Sequence, residues 1–172
     1  MLLFDRHRVA HYLSPMALTI TPADPLSPDA DTILRTHAAF CEAASPPGSC
    51  HYLNKAALAA PEVAFFLAYA DGNVVGCVAL QRHGGGFFEL KSMHVLSGVR
   101  GHGYGADLLA FCLDFAKGLG GSRISLETGS SLCQDDAFGS ARRLYEAHGF
   151  YECEPFGDYC LDAYSLFMTK SI

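Results

Sequence analysis

Hydrophobic residues in the middle of the chain occur in runs that are separated by turn residues. The apolar runs at residues 63–70 and 74–82 flank an Asp-Gly-Asn segment at 71–73. Two such runs around an Asp-Gly turn are a strong signal for a β-hairpin. A glycine-rich turn at 83–86 then leads into the sequence FFELKSMHV at 87–95. The pattern therefore predicts an antiparallel meander of three strands.

The segments on either side of this meander contain helical patterns. A short strand pattern near 16–24 and two helical patterns, at about 29–44 and 51–60, precede it. After it, the segment 103–119 places its apolar side chains on one helical face, namely Leu108, Phe111, Cys112, Phe115 and Leu119. The rest of the chain predicts a strand, a helix and two further strands, at 123–128, 138–148, 150–153 and 165–170.

This order of elements predicts an α/β (α+β) fold with a mixed central sheet of about six to seven strands and helices on both faces. The strand-helix-strand unit at 87–128 is expected to be parallel and right-handed. The 172 residues are the size of a single domain. We place that domain at 16–172, after an N-terminal extension at 1–15 that we expect to be mobile.

Composition and charge exclude several classes of function. Apolar residues make up 50% of the chain and charged residues 17%, which excludes a disordered protein. The formal net charge of −6 argues against a nucleic-acid partner, which requires a basic face. The longest apolar stretch, at 63–70, is far shorter than the roughly 20 residues of a membrane span. The N-terminus lacks the apolar core of a signal peptide, so we expect a cytoplasmic protein without a membrane partner.

Cysteine and histidine spacings argue against a disulfide framework and a metal site. The seven cysteines are an odd count, and no two of them have CxxC spacing. The eight histidines have no grouping with carboxylates or cysteines that is typical of metal ligands. We predict no metal, and we interpret most cysteines as small apolar residues.

The glycine-rich segment RGHGYG at 100–105 carries the most information about function. It follows a predicted strand and opens a predicted helix, where unpaired N–H groups and the positive end of the helix dipole favour an anion. Arg100 adds a full positive charge. A P-loop would end in Gly-Lys-Ser/Thr, and a dinucleotide fingerprint would stand near the start of a parallel sheet. The segment fits neither, and an ordinary surface turn is the remaining alternative.

The chain resembles the GNAT superfamily of N-acetyltransferases over about residues 16–170. RGHGYG resembles the family signature Arg/Gln-x-x-Gly-x-Gly/Ala. ELKSMHV at 89–95 is similar to the family's fourth strand, and ARRLYEAHGF at 141–150 is similar to one of its later helices. The resemblance implies a GNAT-like sheet and acetyl-CoA as the cofactor. It implies that the diphosphate lies on the N–H groups near the glycine segment and that the pantetheine runs along 93–95. The implied cofactor-binding residues are Met93, His94, Val95, Arg100, Gly101, His102, Gly103, Tyr104, Gly105 and Ala106.

The resemblance also implies catalytic groups. It places the family's thiolate-protonating tyrosine at Tyr145, which would otherwise be a core aromatic residue. Many relatives carry an asparagine that contacts the cofactor about seven residues earlier, where this chain has Phe138. We predict Glu89 as the base, because it is an acidic residue in an apolar strand and relatives often place a carboxylate near there. Glu127, which ends the next strand, is a rival for this role.

Strand alternation places Glu89 on one face with Lys91, Met93 and Val95, so a simple ion pair between Glu89 and Lys91 is the alternative to a catalytic role. For the acceptor we expect a pocket built from the first helices and the loop near 154–164. Its predicted substrate-binding residues are Glu127, Phe156 and Asp158. A hairpin loop packed on itself is the alternative for that loop.

These residues lead to a functional hypothesis. We predict an acetyl-CoA-dependent N-acetyltransferase that acts on the primary amine of a small molecule by direct attack in a ternary complex. The alternatives are a non-catalytic acyl-CoA binding module and an acetyltransferase for a protein amine. A homodimer is compatible with the resemblance, because the C-terminal strands of such folds often pair across subunits.

Overall fold

The computed structural model describes residues 12–13 and 18–172, and the predicted alternation of strands and helices follows along them. Before the glycine segment the elements are β1 (Tyr12–Leu13), β2 (Thr19–Pro22), α1 (Pro28–Ala44), α2 (Lys55–Leu58), β3 (Val63–Ala70), β4 (Asn73–Gly84) and β5 (Phe87–Val95). After it they are α3 (Tyr104–Gly118), β6 (Arg123–Gly129), α4 (Gly139–Ala147), β7 (Tyr151–Glu152) and β8 (Ser165–Ser171). Apart from β1, the predicted extension at 1–15 lies outside the described residues.

The described strands form one eight-stranded sheet in the order β1-β2-β3-β4-β5-β6-β8-β7. Neighbouring strands are antiparallel except β5 and β6, which are parallel and are connected through α3. Six strands have at least four residues, and the edge strands β1 and β7 have two each. The predicted mixed α/β sheet, the antiparallel meander and the parallel strand-helix-strand unit are confirmed.

Two apolar clusters pack on opposite faces of this sheet. On one face α3 and α4 cover a cluster that includes Phe66, Phe88, Leu108 and Ile124. On the other face α1 and α2 cover a cluster that includes Ile33, Leu58, Phe65, Leu67 and Cys77. Burial of such a side chain contributes about 1.5–3 kcal/mol, so both helical layers are held to the sheet by many of these contacts.

A β-bulge in β5 changes which side chains share a face. Ser92 has a φ of 50°, and the register with β4 shifts between Lys91 and His94. As a result Met93 and Val95 pack into the α3 cluster. The predicted alternation, which placed them with Glu89 and Lys91, is therefore wrong, because one extra residue reverses the faces beyond the bulge.

Candidate active site

Strands β5 and β6 separate towards their carboxyl ends. Their pairing runs from Phe87 opposite Arg123 to Leu90 opposite Leu126 and stops there, although β5 continues to Val95. Beyond this point no strand among the described residues pairs with the main chain of 91–95 on the β6 side. A cavity of about 380 Å³ is lined by both strands, by α1, α3 and α4, and by residues 45–52.

The segment 100–106, which we call the glycine loop, forms one part of the cavity wall. Gly101 and Gly103 have φ values of 85° and 82°, a left-handed conformation that favours glycine. Among the described residues, the N–H groups of 101–106 donate no hydrogen bond within the protein, and for 104–106 the first turn of the helix accounts for this. An added Cβ at Gly105 would lie 3.3 Å from the Leu144 side chain, so α3 approaches α4 closely. This cradle of main-chain donors fits a diphosphate group.

The predicted cofactor-binding residues line this cavity with one exception. Arg100 donates from Nε to the Val95 carbonyl at 3.1 Å, and its guanidinium lies 5.6 Å from the centre of the Phe40 ring. His102 does not line the cavity. Its Nδ1 lies 3.1 Å from the Val99 carbonyl oxygen, so it supports the conformation of the glycine loop from outside.

Tyr145 lies on α4 and lines the cavity. Its ring centre is 5.8 Å from that of Phe150, which anchors it at the end of the helix. Burial raises the pKa of the Tyr145 phenol well above its usual range. The phenol therefore keeps its proton at neutral pH and has one to donate.

Glu89 does not line the cavity and is held in a hydrogen-bonded network on the α1 face of the sheet. Its side chain is almost fully buried, with 3% of the residue exposed. Lys91 Nζ and the Tyr159 hydroxyl donate to Oε1 at 3.1 and 2.7 Å, and His83 Nε2 lies 2.9 Å from Oε2. This geometry favours the ion-pair alternative for Glu89 over its predicted role as the base.

Glu127, the rival carboxylate, lines the cavity. Among the described lining residues it is the one acidic side chain. The Ser165 hydroxyl donates to its Oε1 at 2.7 Å. Burial raises the pKa of Glu127, while the Ser165 hydrogen bond and the charges of His51 and Lys91 act in the opposite direction. A carboxylate with a raised pKa is a stronger base than an exposed one.

Two predicted acceptor residues do not reach the cavity. Asp158 is exposed to solvent, and neither it nor Phe156 belongs to the lining. The Phe156 ring packs against Phe87 and Phe167 at centroid distances of 5.6 and 6.0 Å. The loop near 154–164 is therefore packed on the sheet, outside the cavity lining.

Instead, α1 and the bulge of β5 supply a polar and aromatic surface, of which the sequence analysis named only His94, as a cofactor-binding residue. We call it the α1 wall, and it consists of His37, Phe40, Cys41, Ser92 and His94. The ring centre of His94 lies 5.3 Å from that of His37 and 5.8 Å from that of Phe40. The spacing i, i+3, i+4 of its three α1 residues on the inward face of a helix is the signal that could have found it.

Phe138 closes the cavity beside this wall. Its ring centre lies 5.2 Å from that of Phe40, and it covers Gly129 so closely that an added Cβ there would come within 2.1 Å of the ring. The position at which many relatives carry an asparagine is therefore an apolar surface here.

Among the described residues, no group of three or more histidine, cysteine or carboxylate side chains is arranged to hold a metal ion. None of the helices in this part of the chain combines the length and the apolar character that a bilayer crossing requires. All seven cysteines are free thiols.

Comparison with known proteins identifies relatives. The sequence model of the acetyltransferase (GNAT) family matches residues 31–150. The chain is 40% identical over 132 residues to the uncharacterized N-acetyltransferase YsnE of Bacillus subtilis (strain 168). The aligned region covers 74% of this chain and 82% of the relative.

Solved structures show the same fold. A putative acyl-CoA N-acyltransferase from Klebsiella pneumoniae matches with a TM-score of 0.72 and 25% identity, covering 90% of this chain and 97% of the other. A GNAT family acetyltransferase from Elizabethkingia anophelis, solved with acetyl-CoA bound, matches with a TM-score of 0.67 and 19% identity, covering 92% and 100%.

Proposed function

Because the chain belongs to the GNAT family of acetyltransferases, which use acetyl-CoA as the acyl donor, we propose that it acetylates the primary amine of a small molecule by direct attack in a ternary complex. One observation carries this proposal. A single cavity is lined by a cradle of main-chain donors, by Glu127, the one carboxylate among its described lining residues, and by Tyr145, whose buried phenol keeps its proton.

The main chain holds the donor in this proposal. The N–H groups of residues 101–106 bind the diphosphate, and the unpaired edge of β5 at 91–95 aligns the pantetheine arm like an added strand. When bound, acetyl-CoA supplies the activated acetyl group. Holding that group beside the amine converts a bimolecular step into an effectively unimolecular one.

Two side chains move protons. Glu127 accepts the proton of the acceptor ammonium, because it is the carboxylate of the cavity and burial raises its pKa. His94 also lines the cavity, but burial lowers its pKa to about 4, which makes it a weak base. Tyr145 donates its proton to the departing sulfur. Glu89 does not act on the substrate and holds Lys91 in place.

The test mixes the protein with acetyl-CoA and a panel of primary amines and measures the free thiol that is released. We expect release with small amines, and a Tyr145→Phe variant that binds CoA normally but turns over about 10²-fold or more slowly, since positioned acids contribute 10²–10⁴-fold. Thiol release by no member of the panel despite CoA binding would favour the non-catalytic acyl-CoA module. Release with a peptide amine alone would favour a protein acceptor. A homodimer and a cytoplasmic location stay predictions.

A further inference from the structure

Two buried polar atoms of the cavity wall have no hydrogen-bond partner in the protein. Among the described residues, they are the two buried side-chain polar atoms that lack one: Ser92 Oγ and His94 Nε2. Both residues line the cavity, with 8% and 6% of their surfaces exposed. Buried polar atoms in folded proteins are nearly always paired, so two unpaired atoms on one wall indicate that a ligand completes them.

The bulge in β5 explains why the His94 side chain faces the α1 side. The φ of 50° at Ser92 reverses the alternation, so Met93 packs into the α3 cluster and His94 lies against His37 and Phe40 of α1. A regular strand would place the imidazole on the other face. The bulge therefore places the His94 imidazole against the α1 side chains of the cavity wall.

The chemistry of the wall favours an uncharged ligand group. Burial lowers the pKa values of His37 and His94 to about 4, so both imidazoles are neutral at physiological pH. Cys41 Sγ lies 3.8 Å from His37 Nδ1, which gives His37 a weak partner that His94 lacks. A neutral imidazole and a hydroxyl can each donate or accept, and burial disfavours a charge on their ligand.

We propose that Ser92 and His94 form a subsite that binds an uncharged hydrogen-bonding group of the acceptor, a hydroxyl or a carboxamide, while Glu127 holds its amine. This inference rests on the proposed function and names the substrate class: amines that carry a second, uncharged polar group. His94 is a specificity-determining residue in this arrangement, and it does not transfer the proton.

Three isosteric probes test this subsite: 3-amino-1-propanol, n-butylamine and 1,3-diaminopropane. They differ only in a terminal hydroxyl, methyl or amino group. Because one hydrogen bond is worth about a factor of ten, we expect kcat/KM for the amino alcohol to exceed that for the other two amines about tenfold. In His94→Phe the preference falls to near one, in His94→Gln it is partly retained, and in Ser92→Ala it is reduced.

A His148→Gln variant is the matched control, because this histidine lies outside the cavity lining and should leave the preference unchanged. His94→Phe should melt at the same or a higher temperature than the parent protein, since it removes an unpaired buried polar atom. An unchanged preference in folded His94→Phe would overturn the proposal. So would a rise confined to the KM for acetyl-CoA, which would assign the two atoms to the donor.

A binding measurement separates this inference from the proposed function. In protein labelled with ¹⁵N-histidine, the His94 Nε2 resonance should shift on addition of 3-amino-1-propanol and stay in place with n-butylamine. If the resonance shifts but no amine is acetylated, the subsite stands and the proposed function fails. If amines are acetylated without a preference for the amino alcohol and without a shift of the His94 resonance, the function stands and the subsite is overturned. The subsite is also overturned if ordered water alone forms the hydrogen bonds of the two atoms.

Discussion

The glycine loop presents main-chain groups to the cavity, whereas the α1 wall presents side chains. The loop is one continuous segment, and its N–H groups converge because Gly101 and Gly103 adopt positive φ values. The α1 wall joins a helix to a distant strand and exists only when both are packed on the same sheet. A site made of main chain is thus encoded locally, while a site made of side chains depends on the tertiary fold.

This difference has a functional consequence. Main-chain donors at a helix N-terminus recognise an anion without regard to the rest of the ligand, which suits a donor molecule shared by a whole family. A side chain such as that of His94 can change without altering the backbone, which suits an acceptor that differs between relatives. We therefore expect substitutions in the glycine loop to weaken CoA binding and substitutions on the side-chain surfaces to alter turnover or acceptor choice.

The largest expected effect separates the two carboxylates of the sheet. Glu127→Gln should lower kcat by roughly 10²–10⁴-fold, as expected for loss of a general base, and leave the dissociation constant of CoA unchanged. Glu89→Gln should retain most of kcat but lose about 3 kcal/mol of stability, because it leaves the half-buried Lys91 ammonium without its counter-charge. Steady-state kinetics and urea unfolding of both variants measure the contrast.

The reverse result, with kcat lost in folded Glu89→Gln and retained in Glu127→Gln, would return the role of base to Glu89. It would also mean that the network with His83 and Tyr159 opens when the acceptor binds. Equal losses in both variants would instead place the two carboxylates in one functional unit.

A smaller effect is expected from strain in the glycine loop. Alanine at the φ of 82° found for Gly103 costs about 1–2 kcal/mol. Relaxation of the loop would disperse its N–H groups, so we expect Gly103→Ala to raise the dissociation constant of CoA about tenfold in calorimetry.

Gly72→Ala is the matched control, because Gly72 has a φ of 76° in the β3–β4 turn and equally open space around its Cα. It should lose similar stability and bind CoA normally. If Gly103→Ala also binds CoA as tightly as the parent protein, residues 101–106 do not hold the diphosphate.

The sequence predicts the glycine loop more completely than the α1 wall. The hairpin strands, the parallel unit and the glycine loop follow from local patterns, because turn residues and apolar periodicity act over a few positions. The face of His94 could not be read in this way, since a single residue with positive φ, Ser92, reverses the alternation. The packing of Phe156 on Phe87 and Phe167 could not be predicted either, because an aromatic residue in a loop has no periodicity that indicates its partners.

The smallest expected effect is the pH dependence of stability caused by the α1 wall. His37 and His94 have pKa values lowered to about 4 by burial, against about 6.5 in the unfolded chain. The unfolded state therefore binds more protons between these values, so stability is fully present above pH 6.5 and is lost as the pH falls towards 4. Between pH 7 and pH 5 each histidine should remove about 1–2 kcal/mol.

For a chain of this size that loss corresponds to roughly 3–6 °C in Tm per histidine. The comparison between the parent protein and His94→Phe isolates it, because Glu127, whose raised pKa acts in the opposite direction, is present in both. We expect the Tm of His94→Phe to fall less steeply between pH 7 and pH 5. Parallel curves for the two proteins would mean that His94 is hydrated or protonated in the folded state, and the α1 wall would then be as open to water as the glycine loop.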